Sequence, residues 1–280
     1  MAETDWNLIW KEKFDNASWS RRPRSTDGNE LRNLVVAEQY HRDALWREQT
    51  NHQVAAIGDK IELDPDTTVL DIGAGTGVLT VILSRMVKRV TAIEPSPAMF
   101  TVFQRHLKDM QRANVKCVNA NWESTDHIAP HDVVLASFSL AMRDIRTSLL
   151  KMQRLANQAV CLFTFAGNPV WDYTVLWPMF FGEPYDVGPD YMDLVNVLYQ
   201  MGVHANIDIL STRHGHTFNS FEQALAFWKA NLNIHSDAGE MKLKAYLENR
   251  LIEKDGQFHC ANRMQSAMIW WRKAPAGCIS

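Results

Sequence analysis

The sequence predicts an α/β protein built on a parallel sheet of about seven strands. Two patterns carry that expectation. Short runs rich in β-branched residues alternate with amphipathic stretches of helical length, the order that βαβ units require. One of those runs, VLDIGAGTG, ends in a glycine turn that opens directly into a helical repeat from about Val78. Chain size agrees, since 280 residues, 46% of them hydrophobic, suffice to bury the core of one elaborated domain.

Between Asn29 and Lys60 the apolar positions Leu31, Leu34, Val35, Leu45, Val54, Ala55 and Ile57 recur at helical spacing ahead of a turn at LDPD, which predicts a leading helix or pair. The strands follow as TVLDIG, RVTAIEP, VKCVNA and DVVLASFS, with helices expected from Val78 and from Pro97. A further helix, Ile145 to Asn157, leads into AVCLFTFAG, and IDILST and SAMIWW complete the set. Two segments break the alternation. Residues 168–202 are rich in Trp, Tyr, Phe, Pro and Gly, and residues 219–255 read as helices inserted before the final strand. The expected organisation is a helical segment over residues 1–60 covering the site, then a main domain over 61–280 that carries both insertions. Ser20 to Asn29 reads as loosely ordered, its arginines solvated.

Charge narrows the partners. Lys and Arg number 29 against 32 for Asp and Glu, a net charge of −3, so no nucleic-acid partner is expected. Cys117, Cys161, Cys260 and Cys278 are widely spaced without a CxxC pair, which argues against a disulfide framework or a zinc knuckle. MAETDWNLIWKEKF contains no apolar leader, and no run approaches the ~20 apolar residues of a spanning helix. A cytoplasmic protein without membrane contact is the expectation; nothing in the pattern speaks to oligomeric state.

The glycine turn offers backbone N–H groups and close approach to the main chain, as a nucleotide-like ligand needs. Its spacing is G-x-G-x-G through Gly73, Gly75 and Gly77, with Val78 where a dinucleotide fingerprint places its third glycine. Asp71, just before the turn, would repel a pyrophosphate but suits a ligand bearing an ammonium and a sulfonium. An aminoacyl nucleoside is therefore favoured over NAD, and a nicotinamide reductase is disfavoured.

With those residues in view, D-I-G-A-G-T-G resembles motif I of the class I S-adenosylmethionine-dependent methyltransferases, and VTAIEPSPAMF, VNANWES and DVVLASFSLAMRD resemble the segments that follow it, over roughly Asp66 to Gly167. The resemblance implies a Rossmann-like sheet of seven mostly parallel strands with the last antiparallel, plus N-terminal helices and helical insertions. It implies S-adenosylmethionine as cofactor and S-adenosylhomocysteine as product. Asp71, Gly73, Ala74, Gly75 and Gly77 would cradle the cofactor, and Glu94, followed by Pro95, would hold the ribose, its two oxygens matching two vicinal hydroxyls. Asn121 stands where the family commonly has Asp at the adenine amino group, with Trp122 beside it to pack on the ring. Ser137 and Phe138 lie where the family's fourth strand ends, in the segment that carries residues beneath the methionyl group and beside the transferred methyl.

For the acceptor, the sequence offers Tyr40 and His41 in the leading helices, Phe138, and Trp171 and Trp177 in the aromatic insertion; such faces suit a planar, apolar or cationic molecule. Trp228, Trp270 and Trp271 read as core. His41, His127 and Asp144 are base candidates by type alone. His214 and His216 share one strand face and suit proton abstraction or a metal, but without a third ligand no metal is expected. The catalytic residue stays unassigned. The functional expectation is methyl transfer to a small-molecule acceptor by in-line displacement, driven by positioning and desolvation. The alternatives are a protein or RNA methyltransferase and a noncatalytic protein that binds the cofactor or its product.

Overall fold

The computed structural model describes residues 4–20, 30–167 and 172–273, without the side chains of 30–32, 44–46 and 214. Three helices lead: α1 (Trp6–Asn16), α2 (Glu30–Arg42) and α3 (Ala44–Lys60). The alternating part comprises β1 (Thr68–Ile72), α4 (Val78–Leu83), β2 (Arg89–Ile93), α5 (Pro97–Asp109), β3 (Val115–Val118), β4 (His131–Ser137), α6 (Ile145–Leu155) and β5 (Ala156–Phe165). Then come α7 (Asp172–Phe181), α8 (Tyr191–Gln200), β6 (Asn206–Phe218), α9 (Phe221–Leu232), α10 (Asp237–Arg250), β7 (Ile252–Lys254) and β8 (Gln257–Arg272).

The sheet order is β3-β2-β1-β4-β5-β8-β6, with β7 paired to β8 outside that path. β1 to β5 pair in parallel, β8 runs antiparallel to both β5 and β6, and β6 therefore points the same way as β5. The mostly parallel sheet with an antiparallel strand near its end agrees with the expectation, with one short strand added. β7 forms because Asp255 and Gly256, both at positive φ, turn the chain back onto β8.

The inner strands are buried on both faces and so lack polar alternation. On one side Leu70, Ile72, Val134, Ala136 and Leu162 pack under α1, α6 and α8. On the other, Val69, Leu135, Cys161 and Phe163 pack under α3 and α4. α1 falls within the leading segment expected to be helical; its Trp10 is buried with Nε1–H donating to the Met142 carbonyl at 2.9 Å, and Lys13 pairs with the buried Asp193 at 2.8 Å.

Two features position the site. Strand order reverses at β1, which has β2 on one side and β4 on the other, and the register Ile72↔Ile93 and Ile72↔Ala136 brings Gly73, Glu94 and Ser137 to the same edge. Ligands bind in such a crevice at the carboxyl ends of the strands. Second, β6 and β8 outrun the sheet. β5 ends opposite Ser266, yet β8 continues back to Gln257 and pairs with β6 as far as Phe218↔Phe258, so a two-stranded ribbon stands above the carboxyl edge. Gly215 permits that pairing, since a Cβ there would lie 1.8 Å from the Cys260 carbonyl oxygen. α9 and α10 pack on the ribbon through Phe218, Trp228, Leu243 and Cys260.

Gly77 seals the turn. It sits at φ +77°, and a Cβ added there would lie 1.9 Å from the Phe103 ring of α5. Gly77→Ala should therefore cost roughly 3 kcal/mol through overpacking and backbone strain, read as a lower urea midpoint; an unchanged midpoint would show that α5 yields freely.

Candidate functional site

A cavity of 340 Å³ opens at the β1/β4 crevice, floored by the glycine turn from Asp71 to Thr76 and continuing past Ser137 and Phe138 to His216 on the ribbon. The turn holds its shape through Gly73 N–H and Ala74 N–H donating to the Ile93 carbonyl at 2.8 and 3.0 Å. At Gly73 an added Cβ would strike the Ser139 side chain at 2.3 Å, whereas at Gly75, φ +59°, it would meet nothing within 4 Å. The main chain at Gly75 thus presents bare backbone to open space.

Two carboxylates flank the turn. Asp71 is fully buried, accepts from Thr80 Oγ1 at 2.5 Å, and is pushed up to about 6, first by desolvation and then by the negative charge of Glu94. Glu94 is buried and raised by desolvation, though Gly75 N–H and Ser96 N–H donate to its two oxygens at 2.8 and 2.7 Å and oppose that shift. Those bonds use one lone pair on each oxygen and leave others for a ligand diol. Asn119, not Asn121, ties β3 to this corner by donating to the Glu94 carbonyl at 2.7 Å.

Of the residues expected from sequence, Tyr40, Asp71, Gly73, Ala74, Gly75, Ser137 and Phe138 line the cavity, and Glu94 touches it through Gly75. Others lie elsewhere. Gly77 faces Phe103, and Pro95 is exposed beside the turn. Asn121 is exposed, its carbonyl accepting from Thr125 Oγ1. Trp122 is buried in the core under Lys151, whose Nζ lies 4.2 Å from the ring centroid; burying the indole with its cation cover there outweighs any display toward the crevice. Trp177 is buried against Phe181 and Tyr185, with Nε1–H donating to Glu183 at 3.3 Å. Trp171 falls outside the described residues, as does the His214 side chain.

The base candidates separate sharply. His41 packs on His106 at 4.5 Å and is lowered to about 4 by desolvation and by the His106 charge. Asp144 caps α6, pairs with Lys11 at 2.7 Å and is lowered to about 2 by its hydrogen bonds, led by that from Lys11, against desolvation. His127 is exposed. Among the candidates whose side chains are described, His216 alone lines the cavity. Among the described residues no group of three His, Cys, Asp or Glu side chains is arranged to hold a metal.

Sequence reasoning missed Thr50, Gln53, Met99, Phe165 and Tyr173, which also line the cavity, and read Trp228 as core although it both packs and lines. Gln53 donates to Ser137 Oγ at 2.9 Å, tying α3 to the end of β4. Met99 had a signal in EPSPAM: with Ser96 capping α5 and Pro97 in its first turn, position 99 faces back over the crevice. Phe138 sits at φ +51°, a strained setting for an aromatic residue, held by its N–H to the Phe163 carbonyl at 2.9 Å and by Phe165 at 4.6 Å between ring centroids.

A second chamber of 290 Å³ adjoins the first, walled by Trp10, Trp19, Tyr185 and Pro189, and shares Phe138, Phe165 and Tyr173 with it. Trp10 and Trp19 have their N–H groups bound to the carbonyls of Met142 and Val187, so they offer their rings.

Residues 46–134 match the family model for ribosomal RNA adenine dimethylase. The strand order also recurs in solved structures: the fold superposes on a Bacillus halodurans protein assigned as a methyltransferase, with a TM-score of 0.55, 14% identity, and 80% of this chain and 99% of that one covered. The family match and the shared fold support the class I S-adenosylmethionine-dependent methyltransferase superfamily. Another structure of this methyltransferase fold, coclaurine N-methyltransferase bound to N-methylheliamine and S-adenosylhomocysteine, superposes with a TM-score of 0.51 at 14% identity over 96% of this chain and 88% of its own. An uncharacterized protein of Haemophilus influenzae is 28% identical over 214 residues, 75% of this methyltransferase chain and 78% of that one. The family match ends before Ser137 and so spans the glycine turn and Glu94 without reaching the second chamber. No helix of the described residues is long and apolar enough to cross a membrane.

Because the folded Asp71 carboxyl titrates near 6 against an ordinary 3.8, the native state binds its proton more tightly than the unfolded chain, and stability falls as pH rises through that window. Asp71→Asn should therefore raise the thermal midpoint at about pH 8 and lose that advantage toward pH 4. A gain of equal size at both pH values would place the cause outside this titration.

Proposed function

We propose that this protein transfers the methyl group of S-adenosylmethionine to a small-molecule acceptor. The observation that carries the reading is the pair of adjoining cavities that meet at Phe138, Phe165 and Tyr173, one built on the glycine turn and the other walled by aromatic rings. The first suits the cofactor. Gly75 supplies the uncovered backbone, Glu94 two acceptor oxygens for the ribose hydroxyls, Met99 a flat apolar contact for the base, and ionised Asp71 a counter-charge for the ammonium end. Bound there, the cofactor supplies an already activated sulfonium methyl. This chain's share is then to exclude water, to hold the acceptor in line and to accept any proton it loses.

The family match to a ribosomal RNA enzyme favours a second reading, an RNA acceptor. A net charge of −3 and an acceptor chamber enclosed by Trp10, Trp19 and Tyr185 support the small molecule instead. With tritiated S-adenosylmethionine supplied alongside total RNA and a small-molecule extract, label is expected in the extract; label in RNA would overturn the reading.

Calorimetry tests the cofactor site. S-adenosylhomocysteine should bind the wild type and NADH should not. Gly75→Val, which fills the open space, should abolish binding, and Glu94→Ala should weaken it by about 2 kcal/mol. Wild-type affinity in both variants would remove the turn from the site. Trp19→Ala and Tyr185→Ala should raise the acceptor KM and leave S-adenosylhomocysteine affinity unchanged; parallel losses would mean the rings serve packing alone.

A further inference from the structure

We propose that His216, oriented by Asp43, is the general base of the transfer and that the acceptor it serves is a phenol, a hydroxyl on a flat aromatic body; this rests on the methyl-transfer reading above. Asp43 lies at the junction of α2 and α3 and His216 on the ribbon, remote in sequence. Their buried side chains meet at 3.0 Å, carboxylate oxygen to imidazole Nδ1. The junction is fixed to the ribbon by Gln39 Nε2 donating to the Thr217 carbonyl at 2.9 Å. A carboxylate only accepts, so it holds the ring proton on Nδ1 and makes Nε2 the basic nitrogen. The ring itself lines the cavity that contains Ser137 and Phe138.

Trp228 supplies the second, independent observation. It lines the same cavity with its centroid 5.9 Å from that of His216, is 2% exposed, and its Nε1–H is buried without a hydrogen-bond partner among the described residues. An indole N–H is a donor only, and a buried donor left unpaired is unfavourable, so the site calls for a ligand oxygen. The same N–H discriminates against an amine, whose own hydrogens would face it. From Trp228 the rings continue through Tyr173 at 5.1 Å to Tyr185, stacked on Tyr173 at 5.6 Å, into the second chamber. That series gives an aromatic acceptor a bed leading up to the base.

The step balances without an external oxidant or reductant. As the phenolic oxygen attacks the sulfonium methyl carbon, His216 Nε2 takes the hydroxyl proton. The O–C bond forms, the C–S bond breaks with its electron pair staying on sulfur, and the imidazolium returns its proton to water. A neutral phenol is a poor nucleophile, so the base matters most for weakly acidic acceptors.

The test uses the full chain, tritiated S-adenosylmethionine and two probes, weakly acidic para-cresol and para-nitrophenol, which is largely ionised in mildly alkaline buffer. His216→Gln is expected to slow para-cresol methylation roughly 100-fold and para-nitrophenol far less, with unchanged S-adenosylhomocysteine affinity and thermal midpoint. Asp43→Asn should show the same contrast at smaller amplitude, as a positioning residue. Independently of turnover, para-nitrophenol added to the S-adenosylhomocysteine complex should show its phenolate band at a lower pH than when free, and His216→Gln should remove that shift. The acidity contrast survives partial misfolding, which would slow both probes alike. Equal slowing of the two phenols, no slowing, or faster methylation of para-toluidine than of para-cresol would overturn the proposal. Failure of wild type to methylate either phenol while binding S-adenosylhomocysteine would refute the phenol alone, whereas failure to bind S-adenosylhomocysteine would refute the parent reading with it.

Discussion

Phe103 lies where any side chain at position 77 would have to go, and much of the molecule follows from that contact. With Gly77 bare, α5 closes onto the turn, and the chain leading into α5 must pass directly over the ends of β1 and β2. That path delivers Glu94 to Gly75 and turns Met99 toward the cavity. The three glycines thus do three different things. Gly73 clears Ser139, Gly77 clears Phe103, and Gly75 clears nothing in the protein, its open space lying in the cavity where the proposed cofactor would sit. A motif that looks uniform in sequence is a division between packing and binding.

The electrostatics follow the same geometry. Asp71 and Glu94 are two carboxylates brought toward one small volume by strands that end in register; burial raises both, and the charge of Glu94 raises Asp71 further. A protein selected for stability alone would hardly keep both. In the proposed reading a cationic ligand end beside Asp71 and a neutral diol beside Glu94 would relieve that cost.

The parallel half of the fold was legible because each of its signals is local. A β-branched run, a glycine turn, the Ser96-Pro97 cap and an amphipathic helix are all written within a few residues of one another. Asn121 and Trp122 lie away from the cavity lining, Trp122 because it is buried under Lys151 from α6, a partner no local pattern reveals. His41 was chosen by type, yet its neighbour is His106 on α5. Gln53, Tyr173 and the Asp43–His216 pair were invisible for the same reason, since their meaning lies in pairings between distant elements, across 84 residues for Gln53 and Ser137 and 173 for Asp43 and His216. α1 has little amphipathic signal, and its place is set by what it touches, Met142 and Asp193.

β8 pairs with β5 on one side and β6 on the other, although it follows both in the chain. During synthesis, then, the sheet through β5 can assemble as soon as it emerges, while β6 has no partner until β8 is made. In that interval β5 presents an open edge and the thirteen-residue β6 two, a situation that favours off-pathway strand pairing. The wall that carries His216 therefore takes its place only after the glycine turn and the aromatic walls of the second chamber have been made, and the first cavity is closed on that side last.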